Sequence, residues 1–500
     1  MLNRILLKIN PNWGLDQDEK FWIKSLPAIK VFDTSKESLC IQSPQNYYIL
    51  SLWFAATTTA RANNINLVAL DPTIFSLKHK RDILFPIRLV YGLLNNFFRE
   101  KKWRHLYRAL GVSNQIRVNQ APLIRKFYMS KDAWRIWRSL KSKEELLNLQ
   151  LRGYYCGDLI YDTYLRYRIR PTVDISSISL LYFIYVAHCA IETCERLLKG
   201  NKIQNYFTSY TTYIQHGIPV RVFLKHKVNV FSAGNLQQRL KKLTEDDYYQ
   251  TSTHKDYSKT FTSLSEKSDR IAVGKSLLQN KFKGIIDQST AYMKSSAFNL
   301  SGEQPKELLN FDGVIFLHDF YDSPHIYANM LFPDFFEWVE FTFKIILKYQ
   351  LNIGVKPHPN QTTESSRDIE YLKHKYPSLQ WINPKTSNVH ILNSGIKFGI
   401  SVYGTVLHEL AYHGIIPICA GDNPHAAFNF VFFPKSRDEY ERMILNPGKL
   451  ILPSDCQDQV ATFYYMHNVY PKGQINFNDS RLNGYSIVDD SSQLLRKILS

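Results

Sequence analysis

The sequence predicts an α/β protein built from two Rossmann-like domains. The chain has 500 residues, more than one hydrophobic core usually organises. In its C-terminal part, short apolar runs alternate regularly with amphipathic stretches, which is typical of a parallel sheet with helices on both faces. The N-terminal part begins with a similar strand, helix, strand order.

The predicted N-terminal domain covers residues 1–300. Its elements are strands at residues 28–32, 66–70 and 229–231 and helices at residues 47–63 and 176–199. The apolar run inside the second helix is shorter than the roughly 20 residues of a membrane span, so we predict a core helix. Residues 244–305 are polar, with helical patches at 262–293, and are predicted to connect the domains.

The predicted C-terminal domain covers residues 301–485, and a final helix covers 486–500. Apolar runs predict five strands, at residues 313–317, 353–356, 379–382, 396–401 and 415–419. The stretches between them predict four helices, at residues 334–349, 365–376, 387–393 and 405–413.

Composition narrows the partners and the compartment. With 62 Lys and Arg against 44 Asp and Glu, the net charge of +18 favours anionic partners. Six separated cysteines without a C-x-x-C pair predict reduced thiols. The N-terminus has no apolar run long enough for a signal peptide, so we expect a cytoplasmic protein.

A basic, aromatic insertion is predicted at residues 78–143, where 17 Lys or Arg face three acidic residues, a net charge of +14. One interpretation is a helical surface that binds an anionic membrane, at the inner face of the cell membrane. The other is a solvated helical face with its aromatic side chains turned inward. No zinc-finger, RNP or KH pattern supports a nucleic acid partner, and we expect none.

A histidine between two prolines follows the predicted strand at 353–356. Ligands of open α/β sheets bind at the carboxyl ends of strands, so His358 should face the crevice between the domains. There its imidazole could hydrogen-bond to, or protonate, a departing phosphate. A turn histidine stiffened by prolines is the alternative. Lys356, two residues earlier, is assigned to the same donor site.

A hydroxyl-lined turn follows the predicted strand at 396–401. Ser401, Gly404 and Thr405 lie between this strand and the next helix, where free N–H groups and hydroxyls form a phosphate cradle. Glu409, one turn into the helix, could accept hydrogen bonds from ribose hydroxyls. Ordinary helix caps and a surface glutamate are the alternative.

A run rich in His and Asp, residues 317–325, follows the first strand of this domain. Its spacing matches no zinc pattern, so we expect no metal and assign His318 to the donor pocket.

Acceptor-side candidates lie at residues 157–221. Asp158 and Asp162 are four residues apart, so a helix would place both on one face as candidate bases, with Arg166 as an anion clamp. An N-cap and a surface ion pair are the alternative. His216 is a further candidate base, and Arg221 a further acceptor contact.

These segments resemble the bacterial capsular polysaccharide biosynthesis proteins, a group that includes Kdo transferases. The resemblance rests on the His358–Pro359 pair, the run from Ser401 to Glu409 and the loop from His318 to Pro324. It covers residues 301–430, and residues 157–221 are similar too.

The resemblance implies a GT-B-like fold, with two Rossmann-like domains facing across a cleft, and no catalytic metal or cofactor. It implies sugar transfer from a nucleotide sugar, with a CMP-linked donor preferred, to a glycan or glycolipid acceptor of a surface or capsular polysaccharide. His358, Ser401 and Thr405 would contact the donor phosphate. The alternatives are a CDP-polyol phosphotransferase and a non-catalytic polysaccharide assembly or export partner.

Overall fold

The computed structural model describes residues 37–44, 63–74, 110–168, 170–234, 237–285, 310–327 and 330–470, with single residues at 53–60, 103–108 and 298. The strand predicted at 28–32 and the helix predicted at 486–500 lie outside these residues. The helix predicted at 47–63 falls on them only in part.

Six strands form the first sheet, in the order β3-β2-β1-β6-β7-β8. All neighbours are parallel except β7 and β8. The strands are β1 (Glu37–Gln42), β2 (Asn66–Asp71), β3 (Val112–Arg117), β6 (Lys202–Thr208), β7 (Asn229–Gly234) and β8 (Gln237–Leu243). A separate antiparallel pair is formed by β4 (Gln150–Leu151) and β5 (Tyr154–Tyr155).

Five helices that the structure describes from end to end accompany the first sheet: α1 (Leu123–Ser139), α2 (Lys143–Leu147), α3 (Gly157–Arg168), α4 (Ile178–Gly200) and α5 (Ile214–Lys225). The central one, α4, packs against α1, α3 and α5. Among the described helices, α4 alone is long and apolar enough to cross a membrane. Of its most apolar 18-residue stretch, 72% is buried inside the protein, as expected for the core helix that the sequence predicts.

Five parallel strands form the second sheet, in the order β11-β10-β9-β12-β13. They are β9 (Gly313–Phe316), β10 (Ile353–Lys356), β11 (Gln380–Trp381), β12 (Phe398–Ser401) and β13 (Ile416–Cys419). The helices of this part are α8 (Phe335–Lys348), α9 (Thr363–Lys375), α10 (Asn388–Leu392), α11 (Val406–Tyr412), α12 (Arg437–Leu445) and α13 (Cys456–Asn468). All nine elements predicted between residues 313 and 419 are present.

The predicted connection contains α6 (Tyr257–Thr262) and α7 (Lys267–Phe282). Both helices pack on α13, and the side chains of Tyr257, Phe261 and Leu278 share a core with Leu407 and Val460. Part of the segment before residue 300 therefore packs with the second sheet. The domain boundary at residue 300 stays a prediction.

The two halves are bonded through Asp334, which is fully buried. One carboxylate oxygen caps α8 by accepting from the Glu337 N–H at 2.8 Å. The other accepts from the Tyr161 hydroxyl at 2.5 Å and from the Thr172 hydroxyl at 2.6 Å, both in the first half. The predicted α/β class with two Rossmann-like sheets is confirmed.

Candidate active site

Three loops meet at the carboxyl edge of the second sheet. Because β9 lies between β10 and β12, the residues that follow these strands are neighbours. The His318 ring, after β9, lies 6.4 Å from the His358 ring, after β10, and 6.1 Å from the Tyr403 ring, after β12. His318 Nδ1 is also 3.7 Å from a carboxylate oxygen of Asp322. The structure thus brings His318, His358 and the turn after Ser401 together.

His358 is held as a neutral hydrogen-bond donor. Its Nδ1 accepts from the backbone N–H of Asn360 at 3.2 Å, so the ring proton of the neutral form is on Nε2. Burial, together with the smaller effect of the neighbouring His318, lowers the pKa of His358 to about 4. Near pH 7 the ring therefore carries no charge. Of the two predicted roles, the geometry favours hydrogen bonding over proton donation.

Lys356 begins a buried chain of polar side chains. Its ammonium donates to the amide oxygen of Asn388, whose amide nitrogen donates to one carboxylate oxygen of Glu409 at 3.3 Å. The other carboxylate oxygen of Glu409 lies 2.9 Å from the Lys281 ammonium. Glu409 is the one carboxylate in this hydrogen-bonded row, which contains the ammonium groups of Lys356 and Lys281, so these four side chains together carry one excess positive charge. Burial lowers the pKa of Lys356 to about 8, although Glu409 opposes that shift.

The turn after β12 is compact. The Ser401 hydroxyl is buried and donates to the backbone carbonyl of Phe316 in β9 at 3.2 Å. A Cβ at Gly404 would lie 2.8 Å from this hydroxyl, so only glycine lets the turn close without a shift. Thr405 is exposed, and its hydroxyl donates to Glu409 at 3.3 Å. Because both carboxylate oxygens of Glu409 are bonded inside the protein, the geometry favours a supporting role over ribose binding.

Asp162 pairs with a histidine from the other half of the chain. Its carboxylate lies 2.6 Å from Nδ1 of His325, and both side chains are buried. Among the described residues, none is a hydrogen-bond partner of His325 Nε2. Burial alone would lower the pKa of His325, but the carboxylates of Asp162, Asp158 and Asp334 together outweigh it and raise this pKa above its ordinary value. No site role was assigned to His325 from the sequence, although it ends the same His-rich run as His318.

Asp158 and Arg221 bind each other. Two guanidinium nitrogens donate to the two carboxylate oxygens at 2.6 and 2.5 Å, and both side chains are buried. The rings of Tyr155 and Tyr248 lie 5.0 and 4.5 Å from the guanidinium carbon. Burial raises the pKa of Asp158, but Arg221 outweighs it and holds this pKa below its ordinary value. The contacts favour a structural pair, and the predicted roles of a base and an acceptor contact stay predictions.

His216 lies near the end of β1 in the first sheet. Gln42 donates its side-chain amide to Nδ1 of His216, and its amide oxygen accepts from Ser209 at 2.7 Å. Burial lowers the pKa of His216 to about 3, so it is a weak base near neutral pH. No contact joins it to His318 or His358 among the described residues.

Arg166 and a strained tyrosine lie close to the Asp162–His325 pair. Arg166 is exposed, and it interacts electrostatically with Asp322 and with the hydroxyls of Tyr210 and Tyr213. Tyr213 has φ 66° and ψ 158°, a backbone region that residues with a side chain rarely adopt. Such strain is concentrated at functional sites. No sequence signal predicted the conformation of Tyr213.

No family model matches the sequence, and no curated protein matches it. Within the described residues, no group of three or more His, Cys, Asp or Glu side chains could hold a metal ion.

Solved structures with a similar fold include a beta Kdo 2,7 transferase, KpsC of Thermosulfurimonas dismutans. It is 13% identical, with 54% of this chain and 79% of that chain covered and a TM-score of 0.32. A Methanocaldococcus jannaschii UDP-GlcNAc 2-epimerase is 9% identical over 92% and 99% of the two chains, with a TM-score of 0.26. A Rickettsia africae glycosyltransferase is 8% identical over 93% and 99%, with a TM-score of 0.27.

Proposed function

We propose that the protein is a glycosyltransferase that moves a sugar from a nucleotide-activated donor to a growing surface or capsular polysaccharide. The proposal rests on the excess positive charge of the hydrogen-bonded row from Lys356 to Lys281, which acts electrostatically on His358 at the edge where His318 and His358 meet. A buried charge is costly unless a counter-charge accompanies it, and the phosphate of a donor would supply one. The neutral His358 would donate from Nε2 to the phosphate as it leaves.

The acceptor step would use the Asp162–His325 pair. In its neutral form, His325 has a lone pair on Nε2, which would accept the proton of the acceptor hydroxyl. As that oxygen bonds to the anomeric carbon, the bond from this carbon to the donor phosphate breaks, and the nucleotide leaves with the electron pair. Asp162 would orient the ring through Nδ1 and stabilise the imidazolium. Arg166 would contact the acceptor.

The kind of donor, the reaction without a metal and the location of the protein each have separate support. The preference for a CMP-linked donor is supported by the resemblance of the sequence motifs to the group that includes Kdo transferases. The resemblance described above supports a reaction without a metal or a bound cofactor. The arrangement of the cysteines supports a cytoplasmic location.

The test is a transfer assay with CMP-Kdo, CMP-sialic acid, UDP-sugars and CDP-glycerol as labelled donors. We expect a CMP-sugar to be consumed. A charge-assisted hydrogen bond contributes about 1.5–3 kcal/mol, so Lys356→Met should weaken nucleotide binding about ten- to a hundredfold. His325→Ala should abolish turnover while nucleotide affinity persists. The matched control is Lys348→Met, because Lys348 is exposed on α8.

Other outcomes would favour the alternatives. Consumption of CDP-glycerol alone would indicate a polyol-phosphate transferase. Nucleotide binding without turnover of any donor would indicate a non-catalytic assembly partner. If Lys356→Met bound nucleotide as tightly as the native protein, the charge argument would be wrong.

The pKa of Lys356 adds a pH dependence to this test. Lys356 loses its proton as the pH rises through about 8, whereas the phosphate stays negatively charged. Nucleotide affinity should therefore be constant from pH 6 to 7 and fall above about 8. Calorimetry near pH 8.5 in buffers of different ionisation enthalpy should show proton uptake on binding, because the anion raises the pKa of Lys356. Lys356→Met should remove both effects.

A further inference from the structure

Helix α1 exposes a large apolar surface. Five of its side chains, Leu123, Ile124, Phe127, Tyr128 and Trp134, are each between 50% and 84% exposed. The opposite side of the helix is the buried one, where Met129 and Ala133 face α4. Single exposed apolar residues are common, but a continuous apolar surface on one helix marks an interaction site. This surface, Leu123 to Trp134, is called the α1 face below.

The same helix is strongly basic. It carries five Lys or Arg and one acidic residue, Asp132, so its net charge is +4. At 100° per residue, Lys131, Arg135 and Arg138 lie on the same side as Ile124 and Phe127. Asp132 lies beside them and pairs with Arg135 at 3.4 Å. The α1 face is therefore apolar and cationic together, over a helix about 25 Å long.

The structure describes part of the basic segment 78–143. There it separates the two interpretations of that segment, a membrane-binding surface and a solvated helical face with inward aromatic side chains. Trp103 and Tyr107 are buried, as expected for a solvated helix with inward aromatic side chains. In α1, the rings of Phe127, Tyr128 and Trp134 are turned outward. The outward rings of α1 fit the membrane interpretation, and the inward interpretation fits Trp103 and Tyr107.

We propose that α1 binds an anionic lipid bilayer, lying parallel to its surface. The apolar side chains would enter the boundary between headgroups and acyl chains, while the lysines and arginines contact lipid phosphates. Charge complementarity favours this partner over a second copy of the chain, since a dimer through this face would bring two helices of +4 together. The proposal does not depend on the sugar-transfer function.

The test is co-sedimentation of the full chain with vesicles of phosphatidylcholine alone and with one quarter phosphatidylglycerol. At about 0.1 M salt we expect at least tenfold stronger binding to the anionic vesicles, with release at about 1 M salt, where the screening length is about 3 Å. Ile124→Ser with Phe127→Ser should lower binding about tenfold or more, and so should Lys131→Glu with Arg138→Glu. Matched controls are Tyr371→Ser and Lys397→Glu, exposed residues away from α1.

The outcomes separate this idea from its rivals. Equal binding to neutral vesicles, or full binding by both double variants, would overturn it. A dimer that the Ile124→Ser, Phe127→Ser variant abolishes would assign the face to a second copy. Stronger binding to single-stranded RNA than to anionic vesicles would also overturn the proposal. Because all four positions are exposed, the variants should fold, and an unchanged midpoint of urea unfolding would show that they have.

Discussion

Asp158 and Arg221 show how a buried ion pair joins two helices. The carboxylate also accepts from the Leu159 N–H at 2.8 Å and the Tyr249 hydroxyl at 3.2 Å. Since the pKa of Asp158 is lowered in the folded protein, its contribution to stability is present above about pH 4 and is lost as the pH falls through the folded pKa. This behaviour is that of a structural pair rather than a catalytic base.

Removal of one partner should therefore be costly. Arg221→Met leaves a buried carboxylate unpaired, and we expect the free energy of unfolding at pH 7 to fall by about 3–5 kcal/mol. Asp158→Leu together with Arg221→Met should recover most of that loss, because no charge stays buried. Urea unfolding provides the measurement. Lys397→Met, which breaks an exposed pair with Asp312, should cost about 1 kcal/mol or less.

The opposite result would restore the predicted catalytic role. If Asp158→Asn unfolded at the same urea concentration as the native protein while transfer collapsed, Asp158 would act on the substrate.

The position of a single residue was predictable from the sequence where the residues around it are also its neighbours in the sequence. His358 follows an apolar strand by two residues, so its place at the sheet edge is set by residues 353–358 alone. His325 depends instead on Asp162, 163 residues earlier, and Glu409 on Lys281, 128 residues earlier. Such pairs arise from packing between distant segments, and no local pattern encodes them.

At the scale of elements, α5 depends on a close approach to its neighbours. A Cβ at Gly217 would lie 2.4 Å from the Leu159 side chain of α3 and 2.4 Å from the backbone oxygen of Thr211. The second contact is with backbone, which cannot turn aside as a flexible side chain can. Glycine at this position therefore sets the distance between α3 and α5.

Gly217→Ala should destabilise the protein by about 1–3 kcal/mol, because α5 must move away from α3. The midpoint of urea unfolding measures this loss. Gly448→Ala is a suitable control, since a Cβ there meets nothing within 4 Å. An unchanged midpoint for Gly217→Ala would mean that α5 shifts without cost.

The two sheets differ in how much of them the sequence predicts. In the second sheet, β9, β10 and β12 are buried along their whole length, so each is a short apolar run between turns. In the first sheet, β3 reads VSNQIR and β8 reads QQRLKKL, and both are edge strands with polar residues. Neither was predicted, nor were β1 and β6, because such sequences also fit loops.

At the scale of the whole molecule, Asp334 performs two tasks with one side chain. It caps α8 in the second half and accepts two hydrogen bonds from the first half, from Tyr161 and Thr172. Near it, the Lys143 ammonium bonds to Glu337, which is a further link between the halves besides the Asp162–His325 pair.

Asp334→Ser should separate the two tasks. Serine caps a helix about as well as aspartate, whereas it is too short to reach Tyr161 and Thr172. We expect a loss of about 2–4 kcal/mol in the free energy of unfolding, with Asp334→Ala losing about 1 kcal/mol more. Urea unfolding followed by tryptophan fluorescence and circular dichroism provides the measurement. Equal stability of Asp334→Ser and the native protein would show that the link contributes nothing.

All six cysteines are buried and unpaired, and burial raises the pKa of each thiol, to about 12 for Cys156 and about 11 for Cys456. Since only the thiolate reacts with maleimides, the native chain is nearly inert to them. A new cysteine at an exposed position would therefore accept a fluorophore or spin label selectively, without replacement of the native six. Two such labels, on α1 and on α9, would make the distance between the halves directly measurable in solution.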